Sequence, residues 1–190
     1  MAKDAANIAV IGAGRIALMH AAIIRQMPEA KLAGIVDRRG RYDRLQKAGL
    51  DGVKIYPNAE DAFADDDIDA VLIASSTPTH CAFVRAAAMA GKHVLCEKPV
   101  AFCAAEIDAL ARETAGCGSV IRVGFNRRFD ADFSALRARL QSGEIGEAVL
   151  IHITNHDPQC PPPAFAKTAG GIFADFNVHD FDMLRFLTGA

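Results

Sequence analysis

Lys98, Asp175 and His179 are the residues whose types suit proton transfer to or from a hydroxyl. Oxidising an alcohol by hydride transfer needs a base for the hydroxyl proton, and histidine titrates in the right range. Asp175 and His179 are four residues apart, so on a single helix they share one face, where the aspartate could bind a hydroxyl or stabilise the imidazolium. Lys98, in Glu97-Lys98-Pro99, is expected at a strand end beside a cationic-ring cofactor. There it can hydrogen-bond a substrate hydroxyl and have its pKa lowered. Each residue taken alone has a plainer reading: a surface lysine, a capping aspartate, a packed histidine. Asp182 reads as a helix-surface partner of Arg185. His152 and His156 lack a clear third ligand, so no metal is assigned, and nothing has the pattern of a nucleophilic triad.

A second group suits a dinucleotide. Gly12-Ala13-Gly14-Arg15-Ile16-Ala17 follows an apolar run and opens a helical pattern. Gly12 permits the tight turn, Gly14 lets a pyrophosphate approach the backbone, and Ala17 is small enough for helix and strand to pack closely. The helix start, at Arg15 and Ile16, offers N–H groups and a positive dipole end to phosphate. Asp37, at the end of the second strand, can accept hydrogen bonds from the adenine-ribose hydroxyls and repel a 2′-phosphate, which favours NAD. Arg38 and Arg39 keep NADP open, because an arginine there can hold that phosphate; their plainer reading is a solvated helix start. Ser75, Thr77 and His80, in a loop after the fourth strand, could line the nicotinamide side, as could Glu97 and Lys98 after the fifth; His80 reads equally well as a helix-start residue without a chemical role.

These residues need elements to hold them. The pattern predicts strands at Asn7–Ile11, Lys31–Val36, Val53–Tyr56, Ala70–Ala74, His93–Cys96 and Val120–Phe125. Helices are predicted at Arg15–Gln26, Gly40–Ala48, His80–Ala90 and Cys103–Ala115, and Asn58 caps a brief one. Strands alternating with single helices mean an α/β fold with a doubly wound parallel sheet over residues 1–125. Residues 126–190 read as a helix at Asp132–Gln141, a half-buried strand at Ala148–Asn155, a proline-rich loop over His156–Thr168 and a helix over Asp175–Leu187. One strand and two helices cannot cover their own apolar faces, so this second part reads as incomplete, to be continued or completed by another chain. Asp65, Asp66 and Asp67 read as a solvated loop.

A net charge of −2 and a pI near 6.3 argue against nucleic acid or anionic membrane as partner. No apolar run is long enough to span a membrane, and the start of the chain has no signal-peptide character. Five cysteines, an odd number with no C-x-x-C pair, suggest buried, reduced thiols in a cytosol.

The order Gly-Ala-Gly-Arg-Ile-Ala, Ser-Thr-Pro-Thr-His (76–80), Gly-Lys-His-Val-Leu-Cys-Glu-Lys-Pro (91–99) and Gly-Gly…Asp…His-Asp-Phe-Asp (170–182) resembles the glucose-fructose oxidoreductase / inositol dehydrogenase / MocA family across essentially the whole chain. Gly124-Phe125-Asn126-Arg127-Arg128-Phe129-Asp130 and Asp157-Pro158 resemble its inositol 2-dehydrogenase branch. The resemblance implies oxidation of myo-inositol at its axial hydroxyl to 2-keto-myo-inositol (scyllo-inosose), with NAD as acceptor. It implies Lys98, Asp175 and His179 as the catalytic group, His179 as acid/base, and Asn126, Arg127 and Asp157 in the polyol pocket. It also implies that residues 126–190 begin an α+β substrate domain of a homotetramer. Three other readings stay open: a sister sugar or cyclitol dehydrogenase using NAD or NADP, an NAD-binding chain without turnover, and an NAD-sensing regulator.

Overall fold

The computed structural model describes residues 5–40, 42–156, 159–160 and 170–190. The chain forms two compact units, Met1–Gly124 and Phe125–Ala190.

Six strands make up the sheet of the first unit: β1 (Ala6–Ile11), β2 (Ala30–Val36), β3 (Lys54–Tyr56), β4 (Ala70–Ile73), β5 (His93–Cys96) and β6 (Ile121–Val123). Their order is β3-β2-β1-β4-β5-β6 and every neighbouring pair is parallel. Among the described residues the helices that connect them are α1 (Arg15–Ile24), α2 (Tyr42–Lys47), α3 (Ala59–Phe63), α4 (His80–Met89) and α5 (Ala104–Thr114). The short apolar runs of β1, β2 and β4 are buried on both faces, because strand side chains alternate and helices cover both sides. Ala9, Ile11, Val71 and Ile73 join one core with Phe63 and Val84. Val10, Ile35 and Leu72 join the other with Ala17, Ala21 and Ile24 of α1. Asn58 caps α3 as its residue type predicts, its side chain accepting from the Asp61 N–H at 2.8 Å.

Strand order reverses between β1 and β4, the point at which such sheets bind ligands at their C-terminal edge. The loops leaving that edge are stitched to their neighbours. Gly12 N–H donates to Val36, Ala74 to Ile11, Glu97 to Ile73 and Gly124 to Cys96, all at 2.8–3.1 Å.

Two glycines meet packing demands. At Gly12 (φ +119°) a Cβ would lie 2.8 Å from the Ala74 carbonyl oxygen. At Gly34 it would lie far inside contact with the Tyr56 ring. That ring is pinned in turn, since Tyr56 Oη donates to Asp65 at 2.6 Å, beside Lys54 Nζ at the same distance. Asp65 is therefore a half-buried hub and not a solvated loop residue. The two hydrogen bonds and the Asp67 N–H hold its carboxyl well below the usual carboxylate range.

The second unit carries α6 (Ala131–Gln141), α7 (Gly171–Asp175) and α8 (Val178–Thr188). Arg128 lies over the rings of Phe125 and Phe186, and Arg137 over Phe186, so cation–π contacts join α6 to α8. The strand expected at Ala148–Asn155 does not form: it finds no ladder among the described residues, although its alternation survives, with Ile151, Ile153 and Asn155 half-buried and His152, Thr154 and His156 exposed. A strand needs a partner backbone as well as an alternating sequence.

The helix expected over Asp175–Leu187 is two helices. The Ile172 carbonyl accepts from both Phe176 N–H (3.0 Å) and Asn177 N–H (2.9 Å), so the bonding slips by one residue and α7 ends. Asp182 pairs with Arg128, not Arg185, whose Nε donates to the Ala190 carbonyl. Only Cys81 and Cys96 are buried; Cys103 and Cys160 are exposed and Cys117 is intermediate, so the expectation of five buried thiols fails at three positions.

Candidate active site

At the N-terminus of α1, Gly12 and Gly14 do different jobs. Gly14 has φ −77° and ψ 176°, a conformation open to any residue, and a Cβ there would meet no protein atom within 4 Å. Among the described residues nothing requires a glycine at that position, so its lack of a side chain leaves free space in front of the helix. Arg15 and Ile16 fill the first helical positions, whose N–H groups take no part in the intrahelical ladder. This cradle fits a dinucleotide diphosphate in shape and polarity.

Beside it, Asp37 closes β2. It is 4 % exposed and accepts from the Arg39 N–H at 3.2 Å. Arg38 and Arg39 point to solvent as exposed residues. Across the switch point, Ser75 Oγ lies 2.6 Å from Thr79 Oγ1, which donates its proton to the Ser76 carbonyl at 2.7 Å. Ser75 is therefore the donor of that pair, and its oxygen keeps lone pairs with which to accept. Thr77 is half-buried in the single 3₁₀ turn that follows.

His80 is 2 % exposed. Its Nδ1 donates to the Pro99 carbonyl at 2.8 Å and its Nε2 lies 3.3 Å from the Ser75 carbonyl. The ring thus ties the loop after β4 to the loop after β5.

Lys98 follows β5 and is half-buried. The Glu97 carboxylate accepts from His20 Nε2 at 2.7 Å and from the Lys98 backbone N–H. Burial works to raise the Glu97 carboxyl, but the His20 hydrogen bond, the nearby His20 charge and the Lys98 contacts outweigh it and hold it below the usual range. His20 was not among the residues singled out from the sequence. Its place in the second turn of an apolar helix gave no signal, because its partner is 77 residues away.

In the second unit, His179 lies in the first turn of α8, with its ring edge-on to Phe125 at 6.5 Å. Asp175 is the last residue of α7, so the two are held on separate helices and the shared-face argument for them does not apply. Asp180, next to His179, is buried and accepts from Arg127 Nη1 (2.7 Å), Asn177 Nδ2 (2.9 Å) and Asn155 Nδ2. Burial works to raise this carboxyl; the bonds from Asn177, Arg127 and Asn155 outweigh it and hold it low. Arg127 is thus engaged in fixing the start of α8. Asn126 is exposed, and Asp157 lies outside the described residues. Among the described residues no three His, Cys, Asp or Glu side chains gather as a metal would require, and no helix is long and apolar enough to cross a membrane.

Two family models match the chain: the GFO/IDH/MocA oxidoreductase family, NAD-binding Rossmann fold, over residues 6–125, and the GFO/IDH/MocA C-terminal domain over residues 133–190. Among curated proteins, it is 41% identical to the myo-inositol 2-dehydrogenase of Thermotoga maritima, over 96% of this chain and 55% of that protein. It is 39% identical to the inositol 2-dehydrogenase of Rhizobium meliloti, over 95% and 54%. Among solved structures, the scyllo-inositol dehydrogenase of Lactobacillus casei with bound NAD(H) and scyllo-inositol superposes with a TM-score of 0.80 at 27% identity, covering 97% of this chain and 56% of that one. The chain spans about half the length of the curated relatives it matches.

Proposed function

The chain belongs to the GFO/IDH/MocA oxidoreductase family, and from that membership we propose that it carries the NAD-binding and catalytic residues of an inositol 2-dehydrogenase. The observation that supports this most is Gly14: a glycine with ordinary dihedrals and empty space at its Cβ, at the sheet edge that also carries Asp37 and Lys98.

When bound, NAD supplies the hydride acceptor. The backbone of Gly12 and Gly14 and the first N–H groups of α1, at Arg15 and Ile16, would hold its diphosphate. Asp37 accepts from the adenine-ribose hydroxyls, and its negative charge disfavours a 2′-phosphate, so NAD is preferred over NADP although Arg38 stands beside it. Ser75, Thr77 and Glu97 frame the nicotinamide side, with His80 supporting their loops.

Lys98 donates a hydrogen bond to the reacting hydroxyl of the polyol, steadying its oxygen as negative charge develops. His179 takes the hydroxyl proton while the carbinol C–H bond gives up its hydride, so the alcohol becomes a ketone and the enzyme ends with one proton to release. Asp175 orients the hydroxyl or answers the imidazolium charge. Asn126 and Asp157 contact other hydroxyls. Arg127 serves the same pocket through its pairing with Asp180. For myo-inositol the product is 2-keto-myo-inositol. A homotetramer is the proposed assembly and the cytoplasm the proposed compartment.

The test is NADH formation by the purified 190-residue chain with NAD and myo-inositol, with scyllo-inositol, glucose and NADP as parallel arms. Turnover on myo-inositol supports the reading as stated. Preference for scyllo-inositol moves it to a sister cyclitol dehydrogenase, a reading favoured by the bound ligand of the Lactobacillus casei relative. NAD binding with no turnover overturns catalysis by this chain alone.

A further inference from the structure

We infer that His20 and Glu97 form a positioning pair that sets the backbone of Lys98, an inference that rests on the reading of Lys98 as a residue of the alcohol-oxidising site. The two side chains meet at 2.7 Å, and each keeps only about a fifth of its surface exposed (21% and 22%). They join the middle of α1 to the residue after β5, elements that otherwise lie on separate connections of the sheet.

A carboxylate only accepts hydrogen bonds, so the proton of this contact resides on His20 Nε2. The carboxylate's other bond goes to the Lys98 N–H, and the Glu97 N–H is itself fixed to the Ile73 carbonyl at 2.9 Å. On the far side a Cβ at Gly124 would stand 3.4 Å from both Cδ and Oε1 of Glu97, ordinary contact, so the end of β6 lies against the carboxylate. The next residue is held too, since His80 Nδ1 donates to the Pro99 carbonyl. The Lys98 backbone is thus fixed on one side by His20 through Glu97 and on the other by His80 through Pro99.

An exposed His–Glu contact would contribute little and could serve as simple surface pairing. This one is half-buried, and the same carboxylate reaches the N–H of Lys98. Without the His20 donor the carboxylate loses its fixed partner and turns toward water, and the Lys98 N–H loses a charge-assisted bond. The dinucleotide turn at Gly12–Gly14 is held separately, by the packing of Ala17 and Ala21 against β1 and β2, so it should not follow.

Hydrogen exchange at the Lys98 amide, followed by NMR in the full 190-residue chain, tests the inference without turnover. His20→Leu should speed that exchange about tenfold while the β4 and β5 amides keep their rates, and His20→Gln, whose Nε2–H reaches a similar point, should restore it. Unchanged exchange in His20→Leu overturns the inference, as does equal damage in both variants. In the NADH assay His20→Leu should lower kcat about tenfold with NAD affinity held within about twofold. NAD affinity falling in step with kcat also overturns it, because the pair would then serve the phosphate turn. If the unmodified chain does not turn over while the exchange pattern holds, the positioning pair stands and the proposed reaction fails.

Discussion

A carboxylate buried at the end of a strand destabilises a fold unless hydrogen bonds or charge answer it, and Asp37 is 4 % exposed at the end of β2. Its Arg39 N–H bond is part of that answer, and the ribose hydroxyls of a dinucleotide are proposed to add to it. Asp37→Ala should weaken NAD binding about tenfold or more, as loss of a charged hydrogen bond does, and narrow the gap to NADP; titration of the chain with both nucleotides checks it. The cysteines differ as sharply from one another. Burial first, with the Glu97 charge adding to it, pushes the Cys96 thiol up to about 12, and burial raises Cys81 as well. A thiol reagent at neutral pH should therefore modify Cys103 and Cys160 rapidly and reach Cys81 and Cys96 only after denaturation, as mass spectrometry of timed samples would resolve. Residue types alone hid this difference, just as they hid the hub at Asp65: a run of three aspartates looks the same whether or not Tyr56 and Lys54 reach back to one of them.

The strands and helices around the dinucleotide turn were the most legible part of the chain. Apolar runs such as Ala9–Ile11 and Val71–Ile73 can be buried on both faces only within a covered parallel sheet, and His93–Cys96 falls where its pattern puts it. What the pattern could not supply was a partner for Ala148–Asn155, or the one-residue slip at Ile172 that separates Asp175 from His179; both depend on backbone bonding that leaves no periodic trace. The glycines give a direct test of element against ligand. Gly12→Ala and Gly34→Ala should each lower stability by about 1–3 kcal/mol in urea unfolding, because a methyl group there meets Ala74 backbone or the pinned Tyr56 ring. Gly14→Ala should leave the unfolding midpoint nearly unchanged and weaken NAD binding instead.

The two units differ in how much they bury. β1, β2 and β4 sit in two apolar cores, whereas α6 buries no residue fully. Amides of α6 should exchange well before those of β1 and β4 in a native-state exchange experiment. Acid should act through Asp65, Glu97 and Asp180, all held low when folded. A depressed carboxyl contributes stability that is complete above its unfolded value, about 4, and is lost as pH falls toward the folded one. Urea midpoints should thus be insensitive to these groups between about pH 7 and 5 and decline below that range, with a shallower decline in Glu97→Gln.

The loops at the C-terminal edge begin on four different strands, and the backbone bonds that stitch them run to immediate neighbours. A ligand laid across Gly12, Asp37, Ser75 and Glu97 would act as a non-covalent cross-link between segments far apart in sequence. Its binding energy then enters the folding equilibrium by mass action, about 2.7 kcal/mol at a hundred times Kd. The melting temperature of the unmodified chain becomes a meter of occupancy, rising with the logarithm of nucleotide concentration even where no reaction can be followed.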